Sequence, residues 1–214
     1  MQDEDKKNSD LTEKLTKDEA ENVSATEKSW LSNAVLVFLE LVKIAVLAGI
    51  TIGVVRYFIF KPFNVEGQSM DPTYHEKDYL IIDEISYRFT EPKRGEVIVF
   101  RAPTIEKDYY LKRIIGLPGE RVKVEDNKVI IYNNENSQGL LLDEVYLDNK
   151  STPGQRTITL GPDEYFVMGD NRNASYDSRR FGPIKKDVIV GKTWFRGWPI
   201  NKITLFEAPV YNLK

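Results

Sequence analysis

The chain has 214 residues, with 30 basic and 33 acidic side chains, a formal net charge of -3 and an apolar share of 41%. That much apolar surface can bury one sizeable core and a smaller lobe, which excludes a disordered protein, and basic residues interspersed with acidic ones offer no block for nucleic acid. Cysteine is absent and His75 is the only histidine, so thiol nucleophiles, disulfides, thiolate metal sites and histidine metal clusters are excluded together; the lack of thiols also fits a domain outside a reducing cytoplasm.

In chain order, residues 1–33 are a charged, polar stretch with too few apolar side chains to offset the entropy of ordering, and they are expected to form a mobile tail. Residues 34–60 are expected to anchor the chain in a membrane, within the apolar run "LSNAVLVFLELVKIAVLAGITIGVVRYFIF". Its uncharged heart, Ile44 to Val55, would be about 18 Å long as a helix, too short alone to span. The flanks bring it to the roughly 20 residues a bilayer needs, because Lys43 and Arg56 sit where long side chains snorkel and Tyr57, Phe58 and Phe60 suit an interface. A cleaved secretory signal would need a basic start and a small-residue cleavage site, which the run lacks. A buried soluble helix is the other alternative, since Glu40 and Lys43 stand at i, i+3. Flanking charge does not settle which side of the membrane the following domain occupies.

After Pro62 the pattern changes to short apolar runs of period two. "DYLIIDEI", "GEVIVFRA", "DYYLKRIIG", "ERVKVED", "KVIIYNN", "EYFVMGD" and "DVIVGKTWF" read as strands broken by turn signals. Residues 61–214 are therefore expected to form one mainly β domain, an antiparallel barrel or packed sheets, with a small lobe around 125–161 left open. No internal repeat is visible.

Three places could carry chemistry. Ser69 follows an extended segment, Phe63 to Glu66, and Gly67; Pro72 stiffens the turn after it, an arrangement that either exposes one hydroxyl or merely caps a turn. A serine nucleophile needs a base. His75 lies in the same loop beside Glu76 and Lys77 and reads as an ordinary exposed histidine. Lys112 interrupts the apolar run "YYLKRIIG", and on a strand it shares a face with Tyr110 and Ile114 while Leu111, Arg113 and Ile115 take the other. On an apolar face its ammonium would lose hydration and its pKa would fall toward that of a usable base, with Arg113 pushing the same way; alternatively it snorkels to water at a sheet edge. The third place is "GDNRNASYDSRRFG", Gly169 to Gly182, which reads as either a solvated loop or a buried polar network.

The order of these segments resembles type I signal peptidases, membrane-anchored serine proteases with a Ser-Lys dyad. The resemblance runs from Glu40 to about Leu205 and rests on the anchor ending in "RYFIFKPF", then "VEGQSMDPT", "YRFTEPKRGEVIVF", "YYLKRIIGLPGE" and "GDNRNASYDSRRFG". It implies that Ser69 is the nucleophile and Lys112 the general base, that Ser175 hydrogen-bonds and orients the lysine, and that Asp177 and Arg179 hold the site together. It places Phe63, Val65, Met70, Tyr110 and Leu111 in the substrate-binding region. Some members carry Ser or Thr two residues before the nucleophile; this chain has Gly67, so the backbone N–H of Ser69 would supply more of the oxyanion stabilisation. The implied substrates are secretory preproteins cut after small residues, with no cofactor and no metal. The implied setting is the lipid bilayer of a cell membrane, crossed once, with the catalytic domain on the extracytoplasmic side; the oligomeric state stays open. A soluble self-cleaving repressor of the same superfamily and a non-catalytic membrane-tethered β module are the rival classes, and no DNA-binding helix pair is visible for the former.

Overall fold

The computed structural model describes residues 33–53, 60–103, 108–147, 151–209 and 211. Most of the expected tail, and the expected interfacial residues Arg56, Tyr57 and Phe58, lie outside them. The chain divides at residues 54/55 into two compact units.

The first described element is α1 (Asn33–Gly53), 21 residues long, strongly apolar, with none of its most apolar stretch buried. At 1.5 Å per residue it is about 31 Å long, enough to cross a bilayer. Its Glu40 and Lys43 side chains pair at 3.7 Å and are both exposed.

The second unit is antiparallel throughout its described strand pairs. Its strands are β1 (Phe60–Asn64), β2 (Tyr79–Asp83), β3 (Val97–Arg101), β4 (Tyr109–Gly116), β5 (Arg121–Glu125), β6 (Lys128–Tyr132), β7 (Leu140–Leu141), β8 (Arg156–Thr159), β9 (Glu164–Met168), β10 (Ile184–Lys185), β11 (Ile189–Trp198) and β12 (Thr204–Leu205). One sheet runs β1-β2-β11-β3-β4-β9-β10, with β12 on β11; a four-stranded sheet runs β7-β6-β5-β8.

The seven apolar runs read as strands each contain one. β7, β10 and β12 are two residues long, too short for a period to show, and β8 is the polar "RTIT", mostly exposed. Phe60, expected to close the anchor, instead opens β1 opposite Asp83.

Unbroken apolar runs mark strands covered on both faces. In β3, Val97 and Val99 join a core with Val65, Met70, Tyr74, Leu80, Ile82 and Leu111, whereas Ile98 and Phe100 join one with Ile114, Tyr165, Val167 and Ile184. β5 and β6 alternate exposed and buried positions instead, and pack Val122, Val124, Val129 and Ile131 against Phe166 and Met168 of β9. The small sheet is thus seated on the back of β9, the strand that leads into the Gly169–Gly182 loop.

Candidate active site

The strand order sets the direction of the walls. Four antiparallel steps separate β1 from β4, so the two run parallel, and both advance toward the same end, where Ser69 and Lys112 lie. β1 is the last strand of its sheet, and β4 meets β9 only from Arg113 onward. The end of β1, the segment after it and the first half of β4 line one groove of about 650 Å³, which holds Phe63, Val65, Gly67, Ser69, Met70, Tyr110, Leu111 and Lys112 and is flanked by Ala174 and Tyr176. Among the described residues, this groove is bordered by two strand edges with no second partner.

The chain reaches Ser69 through a turn that begins after Val65, whose N–H bonds Asp78 O at 2.9 Å. Gly67 has φ +78, a left-handed conformation open to glycine, with empty space where a Cβ would stand. Asp71 N–H then bonds Gln68 O at 3.3 Å and Tyr74 N–H bonds Met70 O at 2.9 Å. Met70 itself is 1% exposed and pins the turn into the core beneath. These bonds leave the Ser69 hydroxyl at the surface of the groove.

Lys112 comes to it from β4. Its Nζ lies 2.7 Å from Ser69 Oγ and donates to Leu111 O at 2.9 Å. The residue is 5% exposed, which excludes snorkelling, and burial pushes its pKa down from an ordinary 10.5 to about 8, against the opposing pull of Asp177 and Asp170. The expected face-sharing holds: the ammonium stands 5.5 Å from the Tyr110 ring. The expected help from Arg113 does not arise. Arg113 points to the opposite face, gives two hydrogen bonds to Asp170 at 2.8 and 2.6 Å and stacks on Tyr146 at 4.0 Å, so its charge is already paired.

The Gly169–Gly182 run is a buried network. Asp177 caps the short helix α2 (Ser178–Phe181) by accepting from Arg179 N, and also accepts from Arg179 Nε at 2.9 Å and Nη2 at 2.8 Å and from Gly169 N at 3.1 Å. Burial raises the Asp177 carboxyl, but Arg179, with the Gly169 N–H, more than offsets it and holds the group below the usual carboxylate range. Arg172 binds Glu144 and Thr152, and its Nε reaches Gly169 O at 3.0 Å. Gly169 touches the nucleophile turn: a Cβ there would overlap both Ser69 O and Ser175 Oγ.

Ser175 is 7% exposed, and its Oγ makes no hydrogen bond to Lys112. The resemblance implied that bond; in this geometry the lysine is oriented by Leu111 O instead. His75 is exposed, and its N–H bonds Asp78 in its own turn. Glu144, Asn171 and Arg172 escaped the sequence reading as functional residues. Asn171 and Arg172 stand inside a motif whose composition fits a solvated loop equally well, and Glu144 carries no local signal. Among the described residues no group of acidic or histidine side chains could hold a metal. A separate cavity of about 400 Å³, lined by Thr73, Arg113, Tyr146 and Phe206, contains neither Ser69 nor Lys112.

Ser69 Oγ thus lies against a buried, desolvated lysine, in a groove of a mainly antiparallel β unit. The chain belongs to the signal peptidase, peptidase S26 family, whose model matches residues 38–198. It is 34% identical over 201 residues to a probable signal peptidase I-2 of Synechocystis, covering 91% of this chain and 86% of that one. It is 36% identical over 191 residues to a signal peptidase I of Bacillus amyloliquefaciens, covering 84% of this chain and 97% of that relative. Among solved structures, a signal peptidase I from Enterococcus faecalis matches with 32% identity and a TM-score of 0.41, over 48% of this chain and 97% of that one.

Proposed function

We propose that this chain is a membrane-anchored serine endopeptidase that removes signal peptides from exported preproteins, with Ser69 as nucleophile and Lys112 as general base. One observation carries the assignment of roles: the Lys112 amine lies 2.7 Å from Ser69 Oγ in a site that drives it toward the uncharged form. The neutral amine accepts the Ser69 proton as Oγ attacks the scissile carbonyl, and the Ser69 N–H stabilises the oxyanion. Protonated Lys112 then gives its proton to the departing amine, and the mature protein leaves first. A water that loses its proton to Lys112 next attacks the acyl ester and frees the signal peptide. Once the lysine is neutral, its lone pair faces Ser69 and one hydrogen stays on Leu111 O. Ser175, the family pattern's partner for the other hydrogen, lies buried beside Gly169. Asp177 and Arg179 support it by fixing Gly169.

The groove supports an extended substrate, one strand added between the edges of β1 and β4. Residues one and three before the cut then share a face, because side chains alternate along a strand. In this reading that face meets Val65, Met70 and Leu111, buried residues of the groove lining, and the family preference for small residues at both places follows. Phe63 and Tyr110 border the same groove. Helix α1 fits a single membrane span, and confinement with preproteins in one membrane raises their effective concentration. The catalytic unit lies on the extracytoplasmic side in this reading, where emerging signal peptides arrive.

The test is cleavage of a synthetic preprotein by the full-length protein in vesicles, with amino-terminal sequencing of the product. Ser69→Ala and Lys112→Met should each lower the rate by about 1,000-fold or more. Equal cleavage by all three proteins rejects the dyad.

A further inference from the structure

The proposed reaction leaves the oxyanion to one backbone donor, so the orientation of that donor matters more than in a site with two. Gly67 contributes no side chain, and its open surroundings do nothing to fix the turn. The Ser69 N–H belongs to the same trans peptide plane as Gln68 C=O, and the two point in opposite directions. Whatever holds the Gln68 oxygen therefore aims the Ser69 N–H.

That oxygen takes the turn's own bond from Asp71 N–H, at 3.3 Å, and a second from Asn171 Nδ2, at 3.1 Å. Asn171 also grips the next peptide, its backbone N–H donating to Ser69 O at 3.1 Å. The amide cannot flip without loss, because its Oδ1 accepts from Ala174 N–H at 3.3 Å. Its neighbours are anchored on both sides, Asp170 by Arg113 and Thr73, Arg172 by Glu144. A rigid arm from the Gly169–Gly182 loop thus holds both peptide planes around the nucleophile, and only one of its two grips is a side chain.

We propose that Asn171 is a positioning residue for the oxyanion: its side-chain amide aims the Ser69 N–H by holding the Gln68 carbonyl. The inference rests on the Ser69-Lys112 reading given above. Asn171→Asp separates this role from simple loop closure. The carboxylate keeps the acceptor for Ala174 N–H and the shape of the side chain, but it has no donor for Gln68 O and repels it. Asn171→Ala removes both bonds without adding charge.

Steady-state cleavage of a peptide with small residues one and three before the cut, by the full-length protein in detergent, reads the difference. Rates are taken on the alkaline plateau of each variant's own pH-rate profile, so that a shift of the Lys112 titration by the new carboxylate does not enter the comparison. We expect kcat to fall about tenfold to a hundredfold in Asn171→Asp, and less in Asn171→Ala, with KM within about twofold of the unmodified value. A peptide aldehyde, whose serine adduct carries the oxyanion, should lose affinity by a similar factor, while an uncleavable reduced-amide peptide binds as before. For Asn171→Ala the acid limb of the pH-rate profile should not move. An unchanged kcat in Asn171→Asp overturns the inference, as does a loss carried by KM or one that tracks a loss of folded protein. No cleavage by the unmodified protein overturns the reading of the site itself, and this inference with it.

Discussion

At pH 7 about a tenth of Lys112 side chains carry a free lone pair, since the group titrates at about 8. The rate of cleavage should therefore climb about tenfold per pH unit below that value and level off above it; a rate flat from pH 5 to 9, measured with one peptide substrate, contradicts the role of this amine. The same burial has a thermodynamic sign. The folded protein releases the proton at about 8 and the unfolded chain near 10.5, so between those values only the unfolded chain holds it and stability rises with pH. Below pH 8 the full cost is present. Lys112→Met should thus stabilise the protein at pH 7 by up to about 3 kcal/mol while abolishing cleavage, and the gain should vanish above pH 10.5, as urea unfolding at both pH values can establish. Sequence singled out Lys112 because a charge interrupts an apolar run. It left two fates open for that charge, because desolvation depends on what covers the strand, and the cover comes from the Ser69 turn and the Gly169–Gly182 loop.

The loop after β9 shows the same division one level up. Three arginine-carboxylate pairs hold it: Arg113 with Asp170, Arg172 with Glu144, and Arg179 with Asp177. The Arg113 and Arg172 guanidiniums are almost wholly buried, so removing a partner leaves an uncompensated charge. Glu144→Ala and Asp170→Ala should each cost about 3–5 kcal/mol in chemical denaturation, a surface-like loss under about 1 kcal/mol counting against the network. The Arg179-Asp177 pair sits within one motif, whereas Arg172 finds Glu144 on the segment between β7 and β8 of the small sheet. That is why composition alone fitted a solvated loop as well as a buried network. It also gives the small sheet a use, since it delivers Glu144 and Thr152 to the residue that holds Gly169, and Gly169 packs on Ser69.

For the whole molecule, the proposed reaction assigns recognition to the open edges of β1 and β4 and delivery to the apolar helix α1. A soluble fragment starting at Phe60 should cleave a short peptide with a kcat/KM within about threefold of the full chain, yet lose about tenfold or more on a preprotein in vesicles, where sharing a membrane sets the effective concentration. Equal rates on the vesicle substrate would remove the helix from that role. By itself the sequence determined the apolar span and the short apolar runs that make seven of the strands, and it singled out one serine and one lysine as candidates, because hydrophobic pattern and turn chemistry are properties of neighbouring residues. Only the tertiary structure decided that these two side chains, 43 positions apart, meet at 2.7 Å. It alone decided that the lysine is dry, that Arg113 is occupied elsewhere and that Asn171 reaches the nucleophile turn, because the burial of a polar atom and the choice of its partner depend on segments brought together from far along the chain.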